Sequence, residues 1–92
     1  MMYATKIKMM PYRDNSQNAS EIDEIYVEGC DRPGFYKKRT LHDYLITHPG
    51  AIKVCISPYP SLIPAVSSNG EKYVRSAPNP YSHDDLLDLP RV

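Results

Sequence analysis

The chain has 92 residues and a formal net charge of zero, with 11 lysines and arginines against 11 aspartates and glutamates. That length suits a single domain over residues 1–92, since halves of it would be too small to bury a core. Neutrality excludes a whole-molecule field that would draw it to nucleic acid or to an anionic membrane. No stretch has the length and apolarity of a transmembrane helix or a secretory leader, so a cytoplasmic protein with no membrane partner is expected.

Residues 2–10 alternate, with Tyr3, Thr5, Ile7 and Met9 on one side and Lys6 and Lys8 on the other, the period of a half-buried strand. Residues 11–20 are polar and rich in turn formers, which predicts a mobile loop. A second strand is expected over 22–28, with Ile25 and Val27 inward and Glu24, Tyr26 and Glu28 outward. Paired antiparallel with the first, its acids would face Lys6 and Lys8. Glycines and a proline make residues 29–34 a turn.

Residues 35–39 then lead into a short helix capped by Thr40, with Asp43 completing a carboxylate capping box. Leu41, Tyr44, Leu45 and His48 supply its buried stripe, and Pro49 and Gly50 end it. A helix this short is unstable alone and must pack on a sheet. Ile52, Val54 and Ile56 predict a third strand over 51–57, broken by Pro58 and Pro60. Two apolar runs, 62–68 and 71–76, flank Asn69-Gly70, the signal of a two-residue type I′ hairpin. That register sets Val66 opposite Tyr73, Ala65 opposite Val74 and Pro64 opposite Arg75. Ser82 with Asp85 predicts a second capping box, so that residues 82–90 form a capped C-terminal turn with a helical turn from His83 to Asp88. The fold class expected is α+β: a mainly antiparallel sheet of four or five strands with one short helix packed on it, in the order β-β-α-β-β.

The C-terminal third carries a motif: Tyr73-Val74-Arg75-Ser76, then Pro78-Asn79, then Asp84-Asp85-Leu86-Leu87-Asp88-Leu89-Pro90. It resembles the end of a family of small, mostly bacterial domains of unknown function, the family numbered 3892. Asp85 stands where that family usually has asparagine, and Pro80 where glycine is common. The resemblance implies that Tyr73, Arg75, Pro78, Asn79, Asp84, Asp85, Leu86, Leu89 and Pro90 are motif residues of structural role, and it implies no activity.

Candidate chemistry is sparse. His83, Asp84, Asp85 and Asp88 offer nitrogen and oxygen ligands, but no HxxxH, CxxC or calcium-loop spacing is present, so they read as acids at a capped helix start, with no metal and no cofactor. Cys30 and Cys55 lack CxxC spacing and read as free thiols. Either could serve as a nucleophile with His42 or His48, yet nothing in the sequence brings them together, and Cys55 is expected mid-strand, buried and inert. The expectation is therefore not an enzyme. Arg32, Tyr36, Lys37, Lys38 and Arg39 form a basic run with Phe35 among them, able to contact phosphates and stack on bases. Arg75 is expected to pair with Asp84 or Asp85. The functional expectation is a protein-binding or accessory module with an unidentified protein partner; the alternative is a nucleic-acid-binding domain using residues 32–39.

Overall fold

The computed structural model describes residues 1–78 and 84–92. Its strands are β1 (Met2–Met9), β2 (Ile22–Glu28), β3 (Gly34–Lys37), β4 (Ile52–Val54), β5 (Leu62–Val66) and β6 (Lys72–Ser76). Helix α1 spans Lys38–Thr47, and short 3-10 turns occur at Ala19–Glu21 and Asp85–Asp88. The α+β class is as the sequence predicts. The element order differs: among the described residues six strands lie in two sheets, one of four strands and one of two, in the order β-β-β-α-β-β-β rather than β-β-α-β-β.

One sheet has the order β3-β2-β1-β4, antiparallel except where β4 runs parallel to β1; β5 and β6 form a separate antiparallel hairpin. A bridge between Lys53 and Ser61 links the two, and the Lys53 ammonium donates to the Ser61 hydroxyl at 2.7 Å. Residues 90–92 lie parallel to β1: the Ile7 N–H donates to the Pro90 carbonyl at 2.9 Å, and the Val92 N–H to the Ile7 carbonyl at 3.0 Å. β1 is thus flanked by β2 on one side and, on the other, by β4 followed by the C-terminal residues. The core fills the space between the sheet, α1, the hairpin and the last turn, where Ile7, Ile25, Leu45, Ile52, Leu62 and Leu86 are fully buried.

The alternation expected in β1 slips by one residue. Its pairing with β2 shifts between Ala4 and Lys6, leaving Thr5 as an extra residue, and such a bulge reverses which face later side chains take. Ala4, Ile7 and Met9 are therefore the buried set. Tyr3 lies only half buried, edge-on to Tyr59 at 6.2 Å between ring centroids. Lys8 faces Glu24 as anticipated, whereas Lys6 faces Tyr26 and lies 4.8 Å over its ring.

β3 replaces the irregular lead-in expected over 35–39. It pairs antiparallel with β2, Phe35 opposite Tyr26, through the turn that begins at Gly29. Gly29 has φ +84°, and a Cβ there would collide with the Met1 carbonyl oxygen, so glycine is required twice over.

β3 passes into α1 without a loop, which moves the helix start to Lys38 and changes its phase. Thr40 and Asp43 fall inside the helix and cap nothing; Lys37 is the extended N-cap residue, without a side-chain cap. The buried stripe is Lys38, Leu41, His42 and Leu45, while Tyr44 and His48 face outward and stack at 4.3 Å with an 8° interplanar angle. At the other end Gly50 takes φ +77°, the left-handed conformation the sequence reserves for it. The helix rests mainly on β5 and β6 and less on β2 and β3.

Two further boundaries move. β4 ends at Val54, where the chain turns back through Ile56 and Tyr59, so Cys55 lies beyond the strand and is exposed rather than buried. In the hairpin the Ser67 N–H donates to the Glu71 carbonyl and the Gly70 N–H to the Ser67 carbonyl, each at 2.9 Å. The loop is therefore three residues, Ser68 to Gly70, with Gly70 at φ +80°. One residue more in the loop shifts the register by one: Ala65 faces Tyr73, Pro64 faces Val74 and Ile63 faces Arg75.

Candidate functional site

The motif residues of the C-terminal third fasten the chain to itself. Asp84 Oδ1 accepts the N–H groups of Ser76 at 3.1 Å and Leu86 at 3.0 Å, tying the end of β6 to the last turn. The Ser76 hydroxyl accepts the Asp85 N–H at 3.1 Å. Asp84 is the residue that caps the 3-10 turn; the expected cap Ser82, the expected helix start His83, and Asn79 and Pro80 lie outside the described residues. Arg75 Nε stands 3.9 Å from Asp84 Oδ2, one of the two partners expected from sequence, in a loose, half-exposed pair. Tyr73 packs against the core, Leu86 and Leu89 are buried in it, Pro90 pairs with Ile7 through its carbonyl, and Pro78 is exposed.

The basic run is split by its own geometry. Lys38 is 8 % exposed. Its ammonium donates to the Ser20 carbonyl at 2.6 Å and pairs with Glu71 Oε1 at 2.5 Å, so it binds the polar N-terminal loop and the hairpin to α1. Lys37 reaches back over β2 to Asp23 and Glu24, each at 3.5 Å. Arg32 and Arg39 are exposed, and Tyr36 is half buried with its hydroxyl donating to the Arg32 carbonyl at 2.5 Å. Burial first, and Cys30 second, raise the Tyr36 phenol above its ordinary pKa.

The polar loop at 11–20, expected to be mobile, has an internal network. The Arg13 and Ser16 amides donate to the Met10 and Arg13 carbonyls at 3.0 Å, Arg13 pairs with Glu21 at 2.6 Å, and the Arg91 guanidinium donates to the Asp14 carbonyl.

The histidines and cysteines do not converge. The His42 ring sits against the Asp43 carboxylate at 3.0 Å, and His48 Nδ1 lies near Thr47 Oγ1 at 2.9 Å. Cys30 is half buried with its Sγ 3.9 Å from the Val27 carbonyl. Among the described residues no hydrogen bond joins a cysteine to a histidine, and no three His, Cys, Asp or Glu side chains are placed to hold a metal ion. Among the same residues no helix is long and apolar enough to cross a membrane.

What the sequence did not reveal is a corner where β3, the turn before it and the start of α1 meet. On its outer side β3 is an edge strand, with Phe35 37 % exposed and set edge-on to Tyr26 at 5.1 Å. On its inner side a cleft of about 410 Å³ opens between the sheet and α1. Val27 and Ile52 form the sheet wall, Leu41 the helix wall, and Tyr44, Asp31 and Arg32 the rim. Its lining comes from β1, β2, β3, α1, β4 and the turn after β2, so no local pattern announces it. A second cleft of about 420 Å³ is lined by Tyr73, Arg75, Asp84 and Asn18. The chain matches no known family model, no curated protein and no solved structure.

Proposed function

We propose that this domain is a non-enzymatic protein-binding module that receives an extended segment of a partner along the outer edge of β3. The observation that supports this reading is the state of that edge. Edge strands are commonly guarded by charged side chains that discourage pairing. Here the one lysine of the strand, Lys37, is turned back to Asp23 and Glu24, and the exposed neighbour is Phe35. Beside it lies an aromatic strip, Phe35 on Tyr26 with Lys6 above. A strand added to such an edge gains main-chain hydrogen bonds for affinity and alternate side-chain contacts for specificity. The nucleic-acid reading has less support, since Lys37 and Lys38 are engaged in ion pairs and Arg32 and Arg39 carry what is left of the run.

A photo-crosslinking residue placed at Phe35 in the native cell should give a discrete protein adduct, and the same residue at Lys8, on β1, should not. Identical adduct patterns from the two positions, or none from Phe35, would remove the edge from consideration. An adduct containing nucleic acid, with a salt-dependent shift of Arg32 and Arg39 resonances on oligonucleotide titration, would favour the other reading.

A further inference from the structure

Helix α1 has ten residues and leans on the β5–β6 hairpin, so one end of the sheet's inner face is left with a gap rather than a packed neighbour. Protein interiors rarely keep voids much larger than a water molecule, and an apolar cleft with a few convergent polar groups is the usual form of a small-molecule site. We propose that this cleft binds a free apolar amino acid, its side chain between Met2 and Tyr44 above the floor of Val27, Leu41 and Ile52, its carboxylate on Arg32 and its ammonium on Asp31.

Size, walls and mouth each contribute to the assignment. A volume of about 410 Å³ suits a ligand of amino-acid size. Val27, Leu41 and Ile52 are almost fully buried and form its aliphatic floor, while Met2, Tyr36 and Tyr44, which are more exposed, supply the apolar surface a ligand can touch. At the mouth, Asp31 and Arg32 are consecutive, exposed and of opposite charge, and neither has an ion-pair partner among the described residues. A ligand with a carboxylate alone would be attracted by one of them and repelled by the other; an amine alone meets the same conflict. A zwitterion satisfies both, with the guanidinium able to grip the carboxylate through two parallel hydrogen bonds. The mouth is also held in place, because the Tyr36 hydroxyl donates to the Arg32 carbonyl at 2.5 Å and Gly29 closes against Met1 behind it. This site is on the inner face of the sheet and is independent of the β3 edge.

The experiment is a methyl NMR titration of the intact chain with L-leucine and L-phenylalanine, and with phenylacetate and phenethylamine as single-charge counterparts. Saturable shifts of Val27, Leu41 and Ile52 methyls are expected for the amino acids, with the single-charge ligands weaker by about tenfold. Arg32→Gln and Asp31→Asn should each weaken the amino acids by a similar factor while leaving the amide spectrum, and so the fold, intact. No shift of these methyls with either amino acid at millimolar concentration overturns the site. Equal binding of all ligands, or binding indifferent to both substitutions, overturns the assignment of a zwitterion. Crosslinking at Phe35 reads another surface, so its outcome and this one are separable.

Discussion

Asp84 and Arg75 share one ion pair but not one burden. A single Asp84 oxygen accepts the amides of Ser76 and Leu86, whereas Arg75 meets the other oxygen at 3.9 Å from a side chain that is 42 % exposed. Removing a cap acceptor costs about 1–2 kcal/mol, while an exposed pair of this kind is worth under about 1 kcal/mol. Asp84→Ala should therefore lower the unfolding free energy by about 1–2 kcal/mol in urea titration and Arg75→Ala by well under half of that. An Arg75 loss as large as the Asp84 loss would reverse this ranking. The sequence narrowed the Arg75 partner to Asp84 or Asp85, because a cation and the acids of a returning chain have few alternatives, and the geometry selects Asp84. The cap at Asp84 was not legible, because Leu87 rather than an acid or amide stands three residues on, so no capping box marks that position in the sequence.

The helix shows what an element owes to its neighbours. Leu41, Leu45 and the Pro49-Gly50 stop were enough to foresee that a helix is present, but its rotation was set by β3 joining it without a loop. A four-residue strand such as Gly34–Lys37 carries too few positions to show a period, and a run of lysines conceals that one of them is interior. Lys38 can be interior because its stem packs as an aliphatic chain while its ammonium reaches Ser20 and Glu71. Lys38→Ala removes stem and charge together and should cost about 2 kcal/mol in thermal unfolding, discounted from the buried-pair range because Glu71 is 44 % exposed. Lys38→Met keeps the stem and should recover most of that loss. If the two substitutions were equally damaging, the charge rather than the packing would be the dominant contribution.

At the scale of the whole molecule, acid should loosen the fold through two surface carboxylates. Glu21 is held below the usual carboxylate range, by the Ser16 hydroxyl first and then by Arg13; Asp43 is held down by His42 first and then by Lys72. A depressed folded pKa contributes stability above the unfolded value, near about pH 4, and that contribution is lost as pH falls through the folded value. The denaturant midpoint should be flat from neutrality to about pH 5 and then decline, with a shallower decline in the Glu21→Gln/Asp43→Asn double variant. An identical acid limb in that variant would mean other groups govern it. The α+β class itself was readable from alternating and helical periods. The division into two sheets was not, nor was the inner cleft, since both depend on pairings between residues far apart in sequence, such as Met2 with Ile52 and Ile7 with Arg91.

That last pairing has a consequence for the order in which the fold can close. β1 is synthesised before both of its partners on one flank, β4 at Ile52–Val54 and residues 90–92. Until then a nascent chain carries Ile7 and Met9 on a strand whose edge is unsealed, the state in which hydrophobic strands are most prone to pair with the wrong neighbour. Residues 90–92 thus seal the stretch of β1 around Ile7 that β4 leaves open.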